Sequence, residues 1–136
     1  MRYITILSAL LIFTFTSLFA QSKKEIREAG IKKRTVKEIV YEKGLTTPMI
    51  EEENRYDSKG NLIEIREINS LGKITNWMKY EYDADDNVIT EITLDVKGKV
   101  VSKVVYVYKD GLRKEKLYYS ALGRLVKKKV YEYVIN

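Results

Sequence analysis

The 136-residue chain contains no cysteine and no histidine. Without cysteine no disulfide can staple the fold, so its stability must come from packing and hydrogen bonding. With both residue types missing, neither a Ser-His-Asp nor a Cys-His nucleophile system can be assembled, and a zinc site has none of its usual ligands. Carboxylates are the only acid–base material left. They could hold calcium or serve a glycosidase, but a glycosidase needs two of them a set distance apart across a cleft.

Charge is also missing from one stretch. Residues 4–19, "ITILSALLIFTFTSLF", carry none, and Met1-Arg2-Tyr3 places a positive charge just before them. With Ala20-Gln21 as the cut, this is the layout of a secretory signal peptide. The mature chain would run from Gln21 to Asn136 and would work in the periplasm or outside the cell. Leu18 is a poor cleavage residue, so an anchor formed by an uncleaved signal is the alternative, although 16 apolar residues are short for a span. No cysteine follows the run to take a lipid.

The remaining charge is unevenly placed. The net charge is +6 overall, but +8 from residue 97 onward and −3 over residues 21–96. A basic end of this kind suits a polyanion. It also suits a strand edge that lysines keep from sticking, and Lys127, Lys128 and Lys129 fall in what should be the last, exposed strand.

Residues 22–33, "SKKEIREAGIKK", read as one short helix. Ser22 and Glu25 form a capping box, and Gly30 is placed to end the helix. From Thr35 on, the grammar changes to strands and tight turns. Turn centres fall at Gly60, Gly72, Asp86-Asn87, Gly98, Asp110-Gly111 and Gly123, about a dozen residues apart. Between them residues alternate with period two. In "VITEITLDV" Val88, Thr90, Ile92 and Leu94 share a face, and in "ITNWMKYEY" Ile74, Met78, Tyr80 and Tyr82 do. The expected fold is mainly β: an antiparallel hairpin-repeat meander of about eight strands, one face dry and one wet, in a curled sheet. Ile92, Leu94, Met78 and Tyr80 are expected to face the core together. The division is a signal peptide over 1–20, a helix and linker over 21–34, and a β-repeat domain over 35–136.

The segments "YDSKGNLIE", "YDADDNVITE" and "YKDGLRKE" resemble the YD repeat of the Rhs and teneurin-like proteins, and more closely the repeats of small exported proteins of the Bacteroidetes type. The resemblance covers roughly residues 50–136. It implies architecture and not activity. Large YD-repeat proteins look like spiralled shells around a cargo, and three hairpins are too few to close one. In the motif itself, Gly60 and Asn61 suit the positive φ of a primed turn, Asp57 accepts hydrogen bonds from the turn amides, and the tyrosine packs across to the next strand.

Three groups of residues are candidate sites. Tyr80, Tyr82, Tyr106, Tyr108, Tyr131 and Tyr133 would stack into a ladder near Trp77, either as cross-strand packing or as a platform for sugars. Lys127, Lys128 and Lys129 would add a basic strip. The acidic cluster Asp83, Asp85 and Asp86 lacks the glycine and bidentate glutamate of a calcium loop, and no metal is assigned to it. No catalytic residue and no cofactor are expected. The reading is an exported, non-catalytic binding or structural module whose partner is an envelope protein or glycan. The alternative is a polyanion or carbohydrate binder that uses the tyrosines and the basic end. The chain is expected to be a monomer without a nucleic-acid partner.

Overall fold

The computed structural model describes residues 23–39, 41 and 48–136. The signal peptide with its cut after Ala20, and the capping residue Ser22, lie outside the described residues. Eight strands follow one another in a single sheet: β1 (Lys33–Ile39), β2 (Pro48–Tyr56), β3 (Leu62–Asn69), β4 (Ile74–Tyr82), β5 (Val88–Leu94), β6 (Val100–Lys109), β7 (Leu112–Ser120) and β8 (Leu125–Val130). Each pairs antiparallel with the next and the order is sequential, so the sheet is an open meander with β1 and β8 at its edges.

The turns explain why the chain reverses where it does. Gly60 N donates to Asp57 O at 3.1 Å, and Asp57 N donates to Asn61 O at 2.9 Å. One Asp57 carboxylate oxygen accepts from the amides of Lys59 (2.9 Å) and Asn61 (2.8 Å). Gly60 takes a φ of +82°, which closes a three-residue loop. Asn69 with Gly72, Asp83 with Asp86, and Asp95 with Gly98 repeat the side-chain bonds and the positive φ. Ser120 with Gly123 makes a weaker copy. One residue on the following strand is left over in such a loop, and the strand register slips beside each of these five turns. The primed two-residue turn expected at Gly60-Asn61 occurs instead at Asp110-Gly111, where both φ angles are positive.

Directly opposed residues of antiparallel strands point to the same face. One row on the first face is Tyr80, Glu91, Val104, Tyr118, Lys127. A row on the second face is Lys33, Arg55, Glu64, Lys79, Ile92, Lys103, Tyr119, Leu125. Ile92 therefore lies with Lys79 and away from Met78 and Tyr80, which corrects the facing expected from alternation. Alternation within each strand is right. The register between the strands, shifted by the turn bulges, decides which faces coincide. Nor is there a dry face and a wet one: every described position of β3 is half-buried, whichever way it points.

The helix over residues 23–28 ends as Gly30 predicts. Gly30 N donates to Arg27 O and Ile31 N donates to Ile26 O, with Gly30 at φ +63°. Ile26 is 5% exposed and lines one cleft with Tyr56, at 8%, while Gly60 of the turn lies against Lys23 and Arg27 and its neighbour Asn61 is buried. Lys23 Nζ reaches Asp86 at 3.4 Å, and Asn61 Nδ2 donates to Asp86 Oδ1 at 2.9 Å, which ties the helix and two neighbouring turns together. The acidic cluster thus has local work: Asp83 shapes its turn and Asp86 links three segments. A cleft of about 390 Å³ remains between the helix and the first turn, lined among others by Ile26, Arg27, Tyr56 and Ile63.

Candidate ligand-binding surface

The tyrosines of the repeats divide into two kinds. Tyr82 Oη donates to Leu62 O at 2.7 Å, Tyr108 Oη to Val88 O at 3.1 Å, and Tyr133 Oη to Arg113 O at 2.7 Å. Each ties the open end of one hairpin by reaching the preceding strand, and not the next strand as expected. Burial, with the nearby charge of other groups, pushes the Tyr82 hydroxyl up to about 12. Tyr131 continues the edge through its backbone, donating to Lys114 O at 2.9 Å.

Tyr80 and Tyr106 lie on the first face proper. Tyr106 is 7% exposed and donates to Glu91 Oε1 at 2.9 Å. Its ring is covered by the Arg113 guanidinium at 4.3 Å and the Lys116 ammonium at 5.1 Å. Burial raises both hydroxyls above the ordinary value, and both remain neutral donors at physiological pH. Trp77 does not join them. It lies on the second face under Arg66, with Nε1 donating to Glu64 at 2.7 Å. These rings are occupied by packing and hydrogen bonds, so they brace the sheet and leave little platform for a sugar.

Ion pairing differs between the faces, although Lys79 and Lys103 of the second face have no ion pair among the described residues. On the second face Glu53 joins Lys33 (2.8 Å) and Arg66 (2.6 Å), Lys37 pairs with Glu51, Arg55 with Glu64, and Lys128 with Glu115 at 2.6 Å. The first face of β6–β8 carries Arg113, Lys116, Lys127 and Lys129, and among the described residues none of the four is ion-paired. Three of them rest on tyrosine rings: Arg113 on Tyr106, Lys116 between Tyr106 and Tyr118 at 5.1 Å from each, and Lys127 over Tyr118 at 4.0 Å. Burial alone would raise the Tyr118 hydroxyl, but hydrogen bonding to Lys116 and the charges of Lys116, Lys129 and Lys127 outweigh it and hold it below the ordinary value. Lys116 and Lys129 stand directly opposite one another.

The lysine triplet is therefore split, with Lys127 and Lys129 on one face and Lys128 on the other. Arg113, Lys116 and Tyr118 were not singled out from sequence. Alternation in "LRKEKLYYS" separates Lys116 and Tyr118 from Glu115, but only the pairing with β8 joins them to Lys127 and Lys129.

Carboxylates whose acidity is displaced are all displaced one way. Two hydrogen-bonded cations, Lys33 first and then Arg66, hold Glu53 below the usual range. The Asn87 and Lys99 backbone amides lead the lowering of Asp83 and Asp95, and the Asn61 side chain leads that of Asp86. Among the described residues no three acidic groups are grouped to hold a metal ion, and no helix is long and apolar enough to cross a membrane. No protein-family model matches the chain, and no curated protein matches it.

Proposed function

We propose that this chain is an exported, non-catalytic β-repeat protein that serves as a binding or structural module of the cell envelope. The open sheet carries this reading: eight strands held in register by repeated turns and tyrosine ties present two broad solvent-facing surfaces. Such a scaffold recognises a partner along a face or an edge. Against catalysis, a general acid needs a raised carboxyl pKa, whereas Glu53, Asp83, Asp86 and Asp95 are all lowered by turn amides or cations. The charge-free run at residues 4–19 supports export, and the tyrosine–turn–strand unit supports the YD-type architecture.

Fractionation of the native host with N-terminal sequencing tests it. The expected result is a chain that begins at Gln21, found in the periplasm or medium, and that binds isolated envelope saturably. An intact Met1 in the membrane fraction replaces cleavage with an anchor. A cytoplasmic chain with no affinity for envelope material overturns the proposal.

A further inference from the structure

Resting on that envelope-module reading, we infer that the first face of β6–β8 is a binding site for a linear acidic polysaccharide, held by Arg113, Lys116, Lys127 and Lys129. The first argument is frustration. Like charges directly opposite each other on neighbouring strands destabilise a sheet, and Lys116 faces Lys129. Another cationic pair, Lys33 opposite Arg55 on the second face, has its counter-charges in place, Glu53 on Lys33 and Glu64 on Arg55, whereas neither Lys116 nor Lys129 has an ion-pair partner among the described residues. A repulsive pair with no counter-charge beside it is relieved when an anion lies between its members.

The second argument is preorganisation. Arg113, Lys116 and Lys127 are propped on the rings of Tyr106 and Tyr118, so their side chains are ordered before a ligand arrives. Alternate residues along a strand stand about 6.7 Å apart and neighbouring strands about 4.8 Å apart. The four cations therefore form a short grid that a chain with regularly spaced anionic groups crosses.

A polysaccharide fits better than a lipid surface. Surfaces that seat on bilayers add apolar side chains that enter the acyl boundary beside the cations. Here Leu125 and Val130, the aliphatic residues of β8 that oppose β7, pair with Tyr119 and Glu115 of the second face. Among the opposed first-face positions of β6–β8 only the half-buried Val104 is aliphatic; the others are lysine, arginine, tyrosine and serine.

Lys128 supplies the control, since removing it changes net charge identically but on the other face, where it pairs with Glu115. The purified protein is run on immobilised heparin and on polygalacturonate over a sodium chloride series. It is also titrated with phosphatidylglycerol vesicles and a single-stranded oligonucleotide. Wild type should be retained by at least one polysaccharide at physiological salt. A Lys116→Gln/Lys129→Gln double variant should bind about tenfold more weakly, as expected for two charge contacts, while Lys128→Gln stays within about twofold of wild type. Without ligand, Lys129→Gln should melt no lower than wild type, because it removes a repulsion; this separates a lost site from a lost fold. Equal weakening by Lys128→Gln, or a preference for vesicles or oligonucleotide, overturns the inference. So does retention by neither polysaccharide. If such a protein still binds isolated envelope, the module reading survives; if it binds heparin but not envelope, the module reading is the one that fails.

Discussion

At the scale of the residue, what surrounds a positive-φ position matters as much as the φ itself. Gly60 and Gly123 both sit in the left-handed region, at +82° and +75°. A methyl group on Gly60 would lie 2.7 Å from the Lys23 carbonyl oxygen, whereas one on Gly123 would meet nothing within 4 Å. Gly123→Ala should cost about 1 kcal/mol, the conformational term alone, and Gly60→Ala at least about twice that, because the helix must also shift. Urea midpoints of the two variants check this, and equal losses would mean that the helix is not seated on the turn. Glu53 makes a pH prediction. Its folded pKa is depressed by Lys33 and Arg66, so its contribution is fully present above the unfolded value of about 4.3 and is lost as pH falls through the lower folded value. Glu53→Gln should be less stable than wild type at neutral pH, and the gap should close below about pH 4. A gap of the same size at pH 7 and pH 3 would show that the carboxylate charge stabilises nothing.

At the scale of the element, the hairpin is the unit, and its two ends are held differently. The turn end uses a side-chain acceptor, such as Asp57 or Asp95, against its own amides. The open end of the later hairpins uses a tyrosine hydroxyl against a carbonyl twenty residues earlier. The bulge that each three-residue turn brings also moves the facing of side chains, with a measurable consequence at β5. Ile92 is half-buried and stands between Lys79 and Lys103. Ile92→Asp should therefore cost only about 1 kcal/mol, since the new carboxylate gains two cationic neighbours against the apolar contact it loses. Tyr106→Asp, at a buried site beside Glu91, should cost several-fold more, about 3–5 kcal/mol. A collapse of Ile92→Asp comparable to that of Tyr106→Asp would restore the facing read from alternation. Thermal melts of the two proteins decide it.

At the scale of the whole molecule, a single-layer sheet has two free edges and a thin core. The only buried hydrophobic side chains among the described residues are Ile26, Tyr56 and Tyr106. β8 guards its edge by charge: a second copy pairing antiparallel about Lys128 would set Lys127 against Lys129. β1, "KRTVKEI", is different. Pairing about Val36 sets Arg34 against Glu38 twice over, with Val36 opposite itself, and every residue of the strand is exposed. We expect a monomer at micromolar concentration and a β1–β1 contact when concentration is raised. Light scattering on wild type and Val36→Lys checks this. A stable dimer that survives Val36→Lys and breaks on substitution of Val130 would put the contact at the other edge.

The division between what was legible in the residues and what was not follows the range of the interactions. The strands, the turn positions and the meander order are local. Alternation, a glycine or aspartate at each reversal, and an acceptor three residues before it lie within a dozen residues of one another, so they could be read in advance. The end of the helix at Gly30 is equally local. The faces were not, because one residue of slip at each bulge sends an alternating strand to the opposite side. That slip is how Ile92 came to stand beside Lys79. The candidate site is the extreme case. Lys127, Lys128 and Lys129 are neighbours in the chain, yet two meet Tyr118 and Lys116 while the third meets Glu115. Which cations are neutralised and which remain free depends on pairings between strands, and only the assembled sheet decides them.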